Sequence, residues 1–186
     1  MTPEFRQHLM EVRANARQLY SSEEIDAAIA GMAEQINQDY AERDPLLLTI
    51  MNGGVVLMGK LLPLLDFPLQ IDYLHASRYR GETAGTEIEW IITPGTSLKN
   101  REVIIVDDIL DVGSTLLAII AACEKQGAAS VATAVLVDKV HNRKAQPGMK
   151  ADYTGVEAED AYLFGCGMDY REYWRNAPGL FAAQGV

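Results

Sequence analysis

The residues with the most chemistry in them stand together in Val103-Ile104-Ile105-Val106-Asp107-Asp108-Ile109-Leu110-Asp111-Val112-Gly113-Ser114-Thr115. An apolar run ends in two adjacent acids, and a turn of small residues then opens a helix. Gly113 lets a backbone approach an anion, and Ser114 and Thr115 offer hydroxyls. The first turn of the helix adds unpaired N–H groups at the positive end of its dipole. These are the parts of a phosphate site. Carboxylates at Asp107 and Asp108 beside such a site are costly unless hydroxyls or a divalent cation meet them, and a ribose diol with magnesium satisfies both. The plainer alternative is that the acids end a strand and Ser114 caps a helix. No Gly-Lys-Ser/Thr follows the strand, which excludes a Walker A loop.

The elements around this segment follow from its neighbours' periodicity. Phe5, Leu9, Val12, Ala16 and Leu19 recur at helical spacing, and Ser21-Ser22-Glu23-Glu24 supplies a capping box for a second helix carrying Ile25, Ile29, Met32, Ile36 and Tyr40. Two amphipathic helices are therefore predicted to open the chain. Leu46 to Met51 reads as a buried strand feeding the tight loop Asn52-Gly53-Gly54, with a helix from Val55 to about Leu65. Leu69, Ile71 and Tyr73 alternate as a strand does. Residues 78–86 have no apolar period and read as a mobile loop, by themselves the solvated tip of a hairpin. Strands at 87–92, 103–106 and 130–137, with a helix over 114–126 stopped by Gly127, complete an alternation of buried strands and helices. That alternation predicts one domain over 1–186, an α/β fold whose mostly parallel sheet is covered on both faces. Ligands of such sheets sit beyond the carboxyl ends of the strands.

Composition narrows the function. The 186 residues are 48% hydrophobic and 23% charged, the balance of a folded globule. A net charge of -10 gives a field that repels polyanions, which argues against duplex nucleic acid as a partner and leaves small phosphates possible. Cys123 and Cys166 are far apart and form neither a disulfide framework nor a zinc motif. Met1 to Tyr20 has no apolar segment of signal type, and no run approaches a bilayer span, so a cytoplasmic protein without membrane contact is expected.

Val103 to Thr115 resembles the 5-phosphoribosyl 1-pyrophosphate signature of the type I phosphoribosyltransferases: an apolar strand, two acids, two apolar residues, then Asp-x-Gly-x-Thr. Further matches along the chain, in the expected order, resemble the hypoxanthine-guanine members. The resemblance implies that Asp107 and Asp108 hold the ribose hydroxyls and that Asp111, Val112, Gly113, Ser114 and Thr115 cradle the 5′-phosphate. Asp111 would be the general base near purine N7, a role a carboxylate suits because a purine attacking through N9 must shed a ring proton. Met51-Asn52-Gly53-Gly54 matches the pyrophosphate loop, where members carry a non-proline cis peptide and many have Lys or Arg at the place of Asn52. Tyr79 matches the tyrosine of the loop that closes over the site, while Arg78 replaces the usual serine.

Lys139, after the strand, matches the lysine that donates to the purine oxygen at C6, and Arg143 the arginine that meets pyrophosphate. Read without the resemblance, a single Lys or Arg in a loop faces solvent. Tyr162 to Arg175 resembles the purine-binding hood, formed mainly by about 150–186 with the N-terminal helices alongside. Tyr162 would stack on the base and Leu163 would present its backbone to the purine edge. Asp169 would face magnesium with Asp107 and Asp108, and Arg175 would bind pyrophosphate. Tyr173 and Trp174 are equally able to fill core. The expectation is a magnesium-dependent purine-salvage enzyme, a homodimer or homotetramer, that makes IMP or GMP. The alternative is a phosphoribosyltransferase-like nucleotide-sensing regulator without catalytic activity.

Overall fold

The computed structural model describes residues 1–78 and 88–185. Among them a six-stranded sheet runs in the order β4-β3-β2-β5-β6-β7. Its strands are β2 (Leu46–Ile50), β3 (Gln70–Arg78), β4 (Ile88–Ile92), β5 (Glu102–Leu110), β6 (Ser130–Val140) and β7 (Tyr153–Glu159). All neighbours pair in parallel except β3 with β4. Alternate residues of the central strands leave by opposite faces. Leu47, Ile104 and Val106 join a core with α2 (Ser22–Tyr40) and α3 (Val55–Leu61). Leu46, Leu48, Val103 and Ile105 join another with α4 (Ser114–Lys125). Strands buried on both faces read as unbroken apolar runs for this reason.

The predicted capping box is present, with Ser21 Oγ accepting the Glu24 N–H at 3.2 Å and the Glu24 carboxylate accepting the Ser21 N–H at 2.7 Å. The helix ahead of it is shorter than its spacing predicts. α1 (Pro3–Asn15) stops before Ala16, and Arg17–Tyr20 forms strand β1, so Ala16 and Leu19 lie outside the helix. The cause is tertiary: β1 pairs antiparallel with β9 (Leu180–Ala182), which also pairs with β8 (Leu163–Phe164). This three-stranded sheet, with the loops beside it, stands where the hood is expected; Tyr153–Glu159 belongs to the central sheet instead, and a strand of the N-terminal segment joins the unit. Leu9 of α1 packs there with Phe164, Tyr170, Ala177 and Phe181, and Trp174 Nε1 donates to the Leu9 carbonyl at 2.9 Å.

Two strands run further than their apolar residues predict. β5 continues through Asp107 and Asp108 to Leu110, because Asp107, Ile109 and Leu110 keep their register with Val135, Val137 and Asp138. β6 correspondingly carries Lys139 inside the strand rather than after it, paired with Ala158 of β7. The helix expected to reach Leu65 ends at Leu61 and tightens into a 3₁₀ turn over Leu62–Leu64.

Candidate active site

At the carboxyl ends of β5 and β6 lies a cavity of about 400 Å³ lined by Asp108, Asp111, Lys139, Tyr162, Leu163 and Asp169. Asp108 and Lys139 stand in β5 and β6 and Asp111 in the turn after β5, while Leu163 stands in β8 with Tyr162 just before it and Asp169 in the loop beyond it. Tyr162 is 45% exposed and edges against Tyr170, with ring centres 5.4 Å apart. The exposed part of the ring is open to a flat ligand in the cavity.

The turn after β5, expected to cradle a phosphate, has the geometry its residue types require. Gly113 has φ +87, the left-handed region, and caps α4 with no side-chain hydrogen bond. The first amides of that helix are left without a side-chain acceptor, the condition for holding an anion. A Cβ on Gly113 would lie 2.5 Å from Met149 Sδ. The loop after β6 thus packs directly on the turn, and Ala145 N–H donates to the Val112 carbonyl at 2.8 Å. Lys144 bonds the Asp138 carboxylate at 2.6 Å and the Leu110 carbonyl at 2.7 Å, tying both strand ends together.

Across the cavity floor the Met51–Asn52 peptide is cis, Gly53 and Gly54 are buried, and Asn52 is exposed. A Cβ at Gly53 would fall on the Asp108 carboxylate, and one at Gly167 would fall on the Gly53 carbonyl, so the two loops and the acid meet without side chains between them. The Gly54 N–H is already donated to the Ile50 carbonyl at 2.9 Å, which leaves the Asn52 and Gly53 amides as those able to face an anion. Asp107 accepts the Asp108 N–H at 2.9 Å. Burial pushes the Asp107 carboxyl well above the carboxylate range, the neighbouring Asp108 charge adds to this, and burial raises Asp108 as well. Among the described residues no basic side chain lies within ion-pairing distance of either. Arg175 is near enough to oppose the rise at both acids but pairs with Asp169, and the all-oxygen donor set left by the acids fits a hard divalent cation.

The cations sit elsewhere. Lys139 Nζ lies 3.4 Å from Asp111 Oδ2 and 3.6 Å from Asp160 Oδ1. Arg143, matched in sequence to a pyrophosphate contact, holds both oxygens of Asp160 at 2.6 and 2.7 Å. Arg175 pairs with Asp169 at 2.7 Å and donates to the Gly167 carbonyl at 2.8 Å. Asp111 also meets a residue sequence reasoning passed over: His141 Nε2 lies 2.7 Å from its Oδ1. The alternation of a strand carried on from Lys139 puts residues 139 and 141 on one side, a signal hidden when β6 is ended at Val137. Burial works to raise the Asp111 carboxyl, but the His141 hydrogen bond and the Lys139 charge outweigh it and hold the group below its ordinary value. Asp111, His141 and Asp160 come close enough to share a metal ion. Lys139 and Arg143 already neutralise that group. Tyr79 lies outside the described residues.

Over residues 15–172 the chain matches the family described as phosphoribosyl transferase domain. A Staphylococcus epidermidis protein named hypoxanthine-guanine phosphoribosyltransferase is 35% identical over 161 residues, 86% of this chain and 89% of the relative. A Staphylococcus aureus protein of the same name is 33% identical over 161 residues, with the same shares covered. The crystal structure of a hypoxanthine phosphoribosyltransferase from Staphylococcus aureus superposes with a TM-score of 0.84 at 31% identity, over 90% of this chain and 91% of that one.

Proposed function

The chain belongs to the hypoxanthine-guanine phosphoribosyltransferases of the phosphoribosyl transferase family, and on that premise we propose that it joins a 6-oxopurine to 5-phosphoribosyl 1-pyrophosphate. The enzyme works in purine salvage, and its products are IMP or GMP and pyrophosphate. One observation carries the reading: a single cavity brings Asp108, Asp111 and Lys139 from the strand ends of the sheet against Tyr162, Leu163 and Asp169 of the hood. A nucleotide sensor would also use Lys139 to hold a base, whereas Asp111 as a proton acceptor serves only a reaction.

In the reaction N9 of the base attacks C1′ of the ribose. The C1′–oxygen bond breaks with its electron pair going to pyrophosphate, and the proton on purine N7 passes to the Asp111 carboxylate. Asp107 and Asp108 hold the ribose hydroxyls, and the Asp111 to Thr115 loop holds the 5′-phosphate on the amides opening α4. Lys139, a donor only, meets the oxygen at C6 and disfavours the amino group of adenine. Tyr162 stacks on the base, and the Leu163 backbone meets its edge. The Asn52 and Gly53 amides and Arg175 receive pyrophosphate, and Arg143 joins them only by exchanging Asp160 for the ligand. Asp107, Asp108 and Asp169 would hold magnesium, which when bound would offset the charge gathering on the leaving group.

The exposed apolar residues Ile71, Tyr73, Ile91 and Ile92 on β3 and β4 support a homodimer or homotetramer. No helix among the described residues is long and apolar enough to cross a membrane, and the two free cysteines suit a cytoplasmic setting. The purified chain, incubated with hypoxanthine, guanine or xanthine, phosphoribosyl pyrophosphate and magnesium, is expected to form the nucleotide. Absence of product with every 6-oxopurine overturns the reading.

A further inference from the structure

Continuing the line of β6, His141 buries its side chain to 3% exposure and sets Nε2 2.7 Å from Asp111 Oδ1. Its other nitrogen, Nδ1, accepts the backbone N–H of Arg143 at 3.0 Å. A backbone amide can only donate, so Nδ1 carries a lone pair and the ring proton sits on Nε2, aimed at Asp111. The Asp111 side chain is 43% exposed, and its other neighbour is a lysine at 3.4 Å, so the imidazole is its close partner with a fixed direction.

We propose that His141 is a positioning residue for phosphoribosyl transfer: held in one tautomer by the Arg143 amide, it occupies Oδ1 of Asp111 and leaves Oδ2 turned toward Lys139 and the base. The inference rests on the reading of Asp111 as the group that takes the purine proton. The charged groups around the ring come from four places: Asp111 after β5, Lys139 in β6, Arg143 in its own loop and Asp160 after β7. Asp160 is held by Arg143 and approached by Lys139, so the Nε2 proton has Asp111 as its acceptor. The same hydrogen bond works with Lys139 to keep Asp111 ionised into the acid range, ready to accept from N7.

His141→Leu removes the donor, and His141→Gln can restore it through a side-chain amide. The leucine variant is expected to lose between about 10- and 100-fold in kcat, the scale of a misoriented catalytic group. Its KM for phosphoribosyl pyrophosphate should stay at the parent value, and the acid limb of kcat/KM for the purine should move to higher pH. The glutamine variant should recover most of both. On the protein itself, ¹⁵N spectra of the ring are expected to show the Nε2–H tautomer. Carboxyl ¹³C spectra should show Asp111 titrating higher in His141→Leu. A ring proton on Nδ1 in the parent, or an Asp111 titration unmoved by His141→Leu, overturns the inference, and the first reading does not depend on how well the variant folds. A shifted titration with unmoved kinetics overturns the positioning role of His141 and leaves only its contact with Asp111, whereas the part played by Asp111 itself is read from Asp111→Asn.

Discussion

Asp111 has a donor on each oxygen, and the two donors do different jobs. Lys139 is close enough to share its charge, yet at 3.4 Å it is free to turn to a purine oxygen. Asp111→Asn leaves the amides of the phosphate loop in place. It should bind phosphoribosyl pyrophosphate as the parent does while kcat falls about 10²–10⁴-fold, the share of a general base. An unchanged rate in single-turnover chemistry removes Asp111 from that role. Lys139→Met leaves the oxygen at C6 without its donor, and kcat/KM for hypoxanthine should fall roughly ten- to a hundred-fold. The adenine rate should fall much less, so the two values converge; equal losses would move Lys139 from base selection to pyrophosphate or to folding. The paired acids and the glycine turn were legible from the residues themselves, because they stand at a strand end that opens a helix. Lys139 and the part played by Asp111 came only from the resemblance, since one lysine after an apolar run carries no local signal. The Arg143–Asp160 pair was legible from neither. Its partners are 17 positions apart, and only the lateral register of β6 on β7, Val140 against Glu159, brings them together.

Among the elements, the apolar runs 46–51, 103–106 and 130–137 were legible as strands because the central sheet buries both faces. The first helix was overread for a related reason. Periodic apolar spacing records which side chains are covered, and Leu19 is partly covered from a strand as well as it would be from a helix. The strand itself depends on β9, which lies at the far end of the chain and leaves no mark on the local pattern. At the phosphate turn, Gly113 meets two demands at once, a left-handed backbone and a space filled by Met149. Gly113→Ala is expected to cost about 1–3 kcal/mol in denaturant unfolding and to weaken phosphoribosyl pyrophosphate binding. Adding Met149→Ala should return the packing part of that loss and leave the backbone part. Full recovery in the double variant would show that φ at this turn carries no cost.

For the molecule as a whole, the paired acids at the site work against stability. The folded state holds protons on Asp107 and Asp108 more tightly than the unfolded chain does, because burial disfavours their charge. Their cost is therefore absent below the ordinary carboxylate range, at about pH 4, and grows as pH rises through the raised folded values. Asp108→Asn should melt higher than the parent at pH 8 by roughly 2–4 °C, the shift that about 1 kcal/mol makes in a chain of this size, with the gap closing near pH 4. Magnesium with phosphoribosyl pyrophosphate should raise the melting point of the parent and leave the variant's nearly unmoved. A parent that melts higher at pH 8 without ligand would refute this account. The hood's pairing of Arg17–Tyr20 with Leu180–Ala182 bears on something else, the order in which a ribosome can finish the enzyme. Strand β1 is made well before β9 and must wait for it through the synthesis of the whole central sheet, its edge unpaired meanwhile. The strands that frame the ribose-phosphate loop are all synthesised before that partner arrives. A nascent chain halted after residue 150 would thus carry the anion turn with no wall for the purine, and its first strand would be free for a chaperone to hold.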